Sequence, residues 1–458
     1  MQSQQTDLGT APVGKLLTRL AVPAITAQMV NMLYNLVDRV YIGHLPDVGT
    51  QALTGVGVCF PIIMLVSAFA ALVYSGGAPR ASIEMGKRNN NEAERILGNC
   101  TVLLVVVSLV LTLVLSLWSR PLLLLFGASE ATIDYAASYM RIYALGTIFV
   151  QLALGLNAFI TCQGFAKTSM LTVLIGAVLN TVLDPLFMFA LNMGVQGAAL
   201  ATLISQAVSA IWVVCFLTGK KTILKLRPVN LHLSWKRLGP CVALGLAPFI
   251  MQSTESLIAV CFNTSLRTYG GDLAVGAMTI LTSINQFALM PLHGLSQGAQ
   301  PIISYNFGAR NAERVRRAFW VLLRCSVIYS TVLWVTVQLL PGAYISMFTP
   351  DAALQAYTIP CLRMYMAASL IFGIQIACQQ TFVAIGNAKH SLFLAVLRKL
   401  ILLIPLIYIL PPFFTDKVMA VFLAEPVADT LAVATTALLF RAKFGAAMRE
   451  MEGTGAHA

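Results

Sequence analysis

The chain has 458 residues, of which 58% are hydrophobic and only 10% are charged, and its formal net charge is +12. Its mean hydropathy is +0.80. Soluble domains typically carry about 25% charged residues, so too little polar surface is present to cover a water-soluble body of this length. The composition argues against a soluble enzyme, a nucleic-acid-binding protein and a disordered chain. It indicates a polytopic membrane protein.

Twelve apolar runs follow one another along the chain. Each has about 22–28 residues, enough for a helix to cross about 30 Å of hydrocarbon at about 1.5 Å per residue. The runs lack the alternation of barrel strands, and in lipid only helices and closed barrels satisfy their own backbone. We therefore predict an all-α membrane protein with twelve transmembrane helices. The predicted runs are 15–43, 52–76, 96–118, 133–156, 163–190, 194–217, 238–266, 273–300, 316–340, 354–380, 388–412 and 415–440.

Basic residues are concentrated on one side of this topology. If the N-terminus is cytoplasmic, 24 of the 30 Lys and Arg fall in cytoplasmic segments or nearby helix ends, with Arg398 and Lys399 counted among them. Cytoplasmic loops of membrane proteins collect Lys and Arg, so we predict that both termini are cytoplasmic. The longest polar connection, 218–237, carries six basic residues and no acid. We attribute its charge to topology and anionic lipid heads rather than to nucleic acid.

The two halves of the chain resemble each other. The Arg-x-Tyr motif at 141–143 recurs at 363–365, and the Gly-x-Arg-Asn motif beginning at Gly86 recurs at Gly308, with the same offset in both cases. Each half has an even number of spans, so the copies are parallel repeats. We predict two pseudo-symmetric six-helix lobes around a central cleft. The expected boundaries are an N-terminal cytoplasmic tail at 1–13, an N-lobe at 14–217, a cytoplasmic linker at 218–237, a C-lobe at 238–441 and a C-terminal cytoplasmic tail at 442–458.

Five acidic residues fall inside the predicted spans. A charge at the centre of a spanning helix costs about 2.5–3.5 kcal/mol on insertion scales. Each acid must therefore face protein or water, be paired, or be protonated. A hydrogen bond between helices, or a position nearer the membrane surface, would also account for any of them. The five are Asp38, Asp184, Glu255, Glu425 and Asp429.

The first half places several polar side chains on matching helix faces. On span 1, Asn31, Tyr34 and Asp38 are separated by three and four residues, so they share one face. On span 5, Asn180 and Asp184 are four residues apart and also share a face. We expect the two faces to meet within one lobe.

The chemistry of this set suits a cation. Pro185 directly follows Asp184 and removes a backbone donor, so we expect a kink that frees polar groups in mid-membrane. Thr202 on span 6 adds a hydroxyl. Desolvation favours a proton shared between carboxylates. The alternative ligand is Na⁺, held by Asp38, Asn180, Asp184 and Thr202, and we expect no other metal site and no cofactor beyond this coupling ion.

The second half does not repeat this chemistry. Asp38 aligns with Asn263, Asp184 falls on or near Ile404, and Thr202 aligns with Glu425. The scaffold is thus duplicated but the polar sites are not. We expect cation coupling in the first half, and we expect the second-half acids to serve the substrate or a separate proton. The substrate-cleft candidates are Asn31, Asn157, Glu255, Glu425 and Asp429.

Over residues 14–440, the sequence resembles the multidrug and toxic compound extrusion (MATE) family, in particular its MepA-like and DinF-related bacterial members. No single motif carries the resemblance, but the set is specific. The motifs are Tyr34-Asn-Leu-Val-Asp38 with Gly43, Leu179-Asn180-x3-Asp184-Pro185, Gln163-Gly164 with Lys167, and Pro301-Ile-Ile-Ser-Tyr-Asn-Phe-Gly308.

The resemblance implies twelve helices around a V-shaped cleft and export of mostly cationic, amphipathic drugs by alternating access, driven by Na⁺ or H⁺. It also implies roles for individual residues. Asn157 matches a cleft position, and Glu255 matches a span-7 glutamate that another branch uses. The positions that match the N-lobe cation and proton site of the DinF-like branch are Tyr34, Asp38, Asn180, Asp184 and Thr202.

We therefore expect a secondary active multidrug exporter of the bacterial cytoplasmic (inner) membrane, which acts as a monomer and antiports cationic or amphipathic drugs against H⁺ or Na⁺. One alternative is a lipid-linked oligosaccharide flippase of the same wider superfamily, which would need a more basic cavity for pyrophosphate. Another is a non-transporting receptor or channel, for which no selectivity-filter motif is found. No Walker A motif, nucleophile–base pair or metal-ligand spacing indicates an enzyme.

Overall fold

The computed structural model describes residues 8–46 and 48–453. Residues 1–7 and 454–458 of the predicted tails lie outside the described residues. Within the described ranges the chain forms helices and no strand, and the predicted all-α class is confirmed. The high apolar content explains this, because a helix satisfies its backbone hydrogen bonds within one segment.

Six helices form the first half of the chain, which we call the N-lobe. Their bounds follow the predicted apolar runs and extend beyond most of them by up to a few turns. They are α1 (Val13–Gly43), α2 (Gly49–Gly86), α3 (Asn90–Leu125), α4 (Ile133–Cys162), α5 (Ala166–Pro185, continued by a π-helical turn at Leu186–Ala190) and α6 (Val195–Thr218).

The second half, which we call the C-lobe, begins with the 74-residue helical run Trp235–Gly308. A straight helix of that length would reach about 110 Å, far more than a bilayer. The run breaks at Gly271, whose φ of 65° and ψ of −158° lie outside the helical region and favour a residue without a Cβ. The break separates α7 (235–270) from α8 (272–308), as the gap between predicted runs seven and eight requires.

Four further spans complete the C-lobe. Ten helices are long and apolar enough to cross a membrane, and a pair of helices bent by 46° makes an eleventh span. Dividing Trp235–Gly308 at Gly271 then brings the number of spans in the described residues to twelve. The remaining spans are α9 (Ala312–Leu339), α10 (Ala352–Tyr365 with Ser369–Ala384), α11 (Ala388–Val396, a π-helical turn at Leu397–Leu403, and Ile404–Ile409) and α12 (Lys417–Gly453).

The lobes pack tightly at the end where α1 begins and α2 ends, which we call the packed end. A Cβ on Gly86 would overlap the backbone of Tyr305, and one on Gly308 would overlap the backbone of Ile83. Gly86 and Gly308 hold equivalent positions in the two repeats, and so do Ile83 and Tyr305. The two contacts are therefore equivalent under the repeat, and the pseudo-two-fold axis passes between them.

The packing between lobes continues partway along the helices. Gly294 on α8 lies against Ile25 on α1. The rings of Phe69 on α2 and Phe249 on α7 have centroids 5.1 Å apart. These contacts lie toward the packed end of each helix, so the helix portions beyond them line the cleft between the lobes.

Candidate cation site

The N-lobe brings three of the predicted site residues together between α5 and α6. Asp184 is fully buried, and Asn180 is 2% exposed. The amide nitrogen Nδ2 of Asn180 donates to Oδ1 of Asp184 at 3.2 Å and to Oγ1 of Thr202 at 3.4 Å. The four-residue spacing on α5 thus produces the shared face that the sequence predicted.

Asp38 approaches this group from α1. Its carboxyl group lies close to that of Asp184. Oδ1 of Asp38 and Oδ2 of Asp184 are buried without a donor among the described residues, and Oδ1 of Asn180 also lacks a partner there. The bond from Asn180 to Oδ1 of Asp184 leaves these oxygens unsatisfied, so the carboxyl pair would gain from a shared proton or a bound cation, because two bare anions repel each other.

Two tyrosines border the carboxyl pair. Tyr34, from the predicted set, lies close to both Asp38 and Asp184. Tyr139 on α4 lies near Asp38 and the side chain of Thr202, and it stacks on Tyr143 with ring centroids 6.3 Å apart. The sequence reasoning missed Tyr139. The repeat gave no signal for it, since the equivalent position in the second half is a cysteine.

The backbone changes its hydrogen bonding beside Asp184. Regular α-helix ends at Pro185 and continues as a π-helical turn over Leu186–Ala190. Proline lacks the N–H that the ladder would use, which explains the position of the change. The kink that the sequence predicted at Pro185 stays a prediction, and the structure shows a π-helical turn directly after this residue.

The two asparagines proposed for the cleft have other partners. Asn157 on α4 donates to the carbonyl of Ser169 at 3.2 Å, and its Oδ1 is buried without a donor among the described residues. The carbonyl of Asn31, an exposed residue of α1, accepts from Nδ2 of Asn35 at 2.7 Å. The polar side chain of Asn31 therefore lies on an open surface of α1.

In the C-lobe, the matching pair of helices carries a charged cluster. Nε of Arg398 on α11 lies 2.6 Å from Oδ1 of Asp429 on α12, and its Nη2 lies 3.4 Å from Oε1 of Glu425. The guanidinium also stacks 4.6 Å from the ring centroid of Phe372. All three charged residues are buried. The two acids are thus held by a fixed cation.

A second ion pair lies beside this cluster. Nζ of Lys399 is 2.8 Å from Oε1 of Glu255 on α7. The side chain of Lys399 is 7% exposed, whereas that of Glu255 is 54% exposed. Lys399 is therefore buried behind its partner, and Glu255 faces open space.

Assigning Arg398 and Lys399 to the cytoplasmic side was wrong. Both lie within α11, in the π-helical turn Leu397–Leu403, and both are buried. The cytoplasmic excess falls from 24 to 22 of the 30 basic residues. The count from the sequence failed because a basic residue can be buried when acids from other helices neutralise it. The sequence does not show which acids lie close to a basic residue in the folded chain.

A twelve-helix membrane protein built from two parallel repeats, with a pair of buried carboxyl groups in one lobe, has an architecture found among transporters. A family model described as MatE matches residues 23–186 and 248–409. The two matched segments are nearly equal in length and begin at equivalent points of the two halves, so each covers one repeat. The chain belongs to this family, the multidrug and toxic compound extrusion transporters, as the resemblance predicted.

Relatives and solved structures agree with this assignment. The chain is 24% identical over 422 residues to "Multidrug export protein MepA" of Staphylococcus haemolyticus, covering 92% of each chain. It is 23% identical over 435 residues to "FAD transporter" of Shewanella oneidensis, covering 92% of this chain and 93% of the relative. A structure described as an outward-facing multidrug resistance MATE family transporter has a TM-score of 0.90 at 23% identity, covering 96% and 98% of the two chains.

Proposed function

We propose that this chain is a secondary active exporter that antiports cationic or amphipathic drugs against H⁺ or Na⁺. The observation that carries the proposal is the carboxyl pair Asp38–Asp184, in which Oδ1 of Asp38 and Oδ2 of Asp184 are buried without a donor among the described residues. A site with surplus acceptors gains most from an added cation. The drug-export name of the Staphylococcus relative supports the choice of cargo.

The proposed cycle uses the packing of the lobes. The excess of basic residues at the packed end supports a cytoplasmic position for it, and the cleft would then open to the outside. An external cation enters between Asp38 and Asp184, neutralises them, and weakens their hold on a cationic drug. The helices then repack near Pro23 and Pro185, the drug leaves, and the lobes rock to release the cation inside. Each charge contributes about 2.3 kcal/mol per 100 mV, enough for a tenfold gradient.

We propose that the moving bodies are the lobes at 14–217 and 238–441, within a monomer in the cytoplasmic membrane. The linker 218–237 stays with the N-lobe. Oε1 of Gln163 accepts from the backbone N–H of Ile223 at 2.7 Å and of Leu224 at 2.9 Å. Arg227 pairs with Glu94 at 3.0 Å. Arg237, near the start of α7, also pairs with Glu92 on α3 at 2.6 Å. Rocking would therefore bend the chain beyond Arg237.

Proteoliposomes test this proposal. Efflux of ethidium is measured with a Na⁺ gradient or a pH gradient imposed separately, for wild type, Asp38→Asn and Asp184→Asn. We expect one of the two gradients to drive efflux by the wild-type protein. The rate driven by that gradient should be at least tenfold lower in each variant than in wild type. The matched control is Asp134→Asn, at an acid that is 76% exposed and pairs with Arg120. Wild-type efflux from both site variants would refute the coupling role.

A further inference from the structure

The Glu255–Lys399 pair lies where the lobes stop packing. Glu255 follows Gln252 by one helical turn, and Gln252 lies near the side chain of Tyr74 on α2 of the N-lobe. On α8, the exposed residue His293 lies near Glu255 and directly precedes Gly294, which packs on the N-lobe. Glu255 is thus half exposed and still surrounded by both lobes, which is the position of a residue at the floor of the cleft.

Lys399 and Glu255 differ in how easily each can leave its partner. Lys399 is buried, so its ammonium group needs an anion beside it. Glu255 is half exposed, so its carboxylate can turn into water and be solvated there. An incoming carboxylate that replaced Glu255 would keep Lys399 neutralised while Glu255 became solvated.

Building on the proposed export function, we propose that Lys399 binds a carboxylate of the substrate and that Glu255 occupies this position when the cleft is empty. Arg398 is unsuited to this role, since Asp429 and Glu425 already hold its guanidinium. In the proposed function the substrate carries a cationic group, and Lys399 would take its carboxylate. This arrangement fits zwitterionic amphiphiles, which carry a cationic end and a carboxylate end.

Two dyes that differ by one group test this inference. Rhodamine 110 has a free carboxylate, and rhodamine 123 is its methyl ester. Efflux of both is measured in proteoliposomes of wild type, Lys399→Gln and Glu255→Gln. We expect Lys399→Gln to lower the efflux ratio of rhodamine 110 to rhodamine 123 at least tenfold. Glu255→Gln removes the competing carboxylate and should raise that ratio.

Lys220→Gln, in the exposed linker, is the control and should leave the ratio unchanged. Equal loss of both dyes in Lys399→Gln, or no loss of either, would overturn the assignment. If Lys399→Gln does not reach the membrane, an unchanged ratio in Glu255→Gln overturns it instead. Wild-type export of rhodamine 123 without rhodamine 110 contradicts this inference alone, whereas export of neither dye contradicts the proposed export function.

Discussion

The last two helices of each repeat, α5 with α6 and α11 with α12, use one scaffold for opposite electrostatics. The sequence comparison matches Thr202 on α6 with Glu425 on α12, within one residue of the 222-residue offset of the other motifs. In the N-lobe, Thr202 receives a bond from Asn180, and Oδ1 of Asp38 and Oδ2 of Asp184 lack donors among the described residues. In the C-lobe, Glu425 and its neighbour Asp429 face Arg398.

This difference shows how the two copies of a duplicated fold can carry sites with different functions. A buried site with surplus acceptors takes up and releases a cation at modest cost. A buried site whose acids already face a cation resists change, because removing one partner of such a pair costs about 3–5 kcal/mol. In the proposed cycle, the N-lobe site changes its charge while the C-lobe keeps its ion pairs. We therefore expect neutralising substitutions to have opposite effects on stability in the two lobes.

The largest expected effect is that of Arg398→Met. The substitution leaves Glu425 and Asp429 buried without their cation. We expect a destabilisation of about 3–5 kcal/mol, measured as a lower unfolding temperature of the detergent-purified protein. Combining it with Glu425→Gln and Asp429→Asn removes the stranded charges and should recover most of the loss. A single variant as stable as wild type would contradict the assignment of a fixed cluster.

We expect an intermediate effect on stability at the packed end, where the two lobes make equivalent contacts. Gly86→Ala and Gly308→Ala each push a methyl group into the backbone of the facing helix, and overpacking of this kind costs about 1–3 kcal/mol. Because the two contacts are related by the repeat, we expect similar losses of unfolding temperature. The controls are Gly57→Ala and Gly239→Ala, whose added methyl groups meet no neighbour among the described residues. Sharply unequal effects of the two contact variants would show that the packed end is not symmetric.

The sequence predicted the scaffold well, for a physical reason. Apolar length determines where helices cross a bilayer, and the constant offset between matching motifs relates the halves. The break at Gly271 falls in the expected gap between runs. The π-helical turn at Leu397–Leu403 was not predicted. Such turns change which backbone groups form hydrogen bonds with each other. The periodicity of apolar side chains in the sequence does not indicate this change.

The site was predictable only in part. Spacing placed Asn180 and Asp184 on one face of α5, since a helix brings residues four apart together. Spacing says nothing about which separate helices meet, so Tyr139 was missed and the Glu255–Lys399 pair was not foreseen. Basic residues inside a span were read as topology signals. Only the three-dimensional structure reveals the acids that neutralise them.

The smallest expected effect is on the stability of Asp184→Asn, and its comparison with Asp429→Asn distinguishes the N-lobe site from the C-lobe cluster. Asp184→Asn gives the pair an amide donor that Asp38 lacks in the wild type, and a new buried hydrogen bond contributes about 0.5–1.5 kcal/mol. In Na⁺-free buffer above neutral pH, we expect its unfolding temperature to be equal to or slightly higher than that of wild type. Asp429→Asn, by contrast, weakens the pair with Arg398 and should lower it. If both variants lost stability equally, the N-lobe carboxyl pair would be a structural contact rather than a cation site.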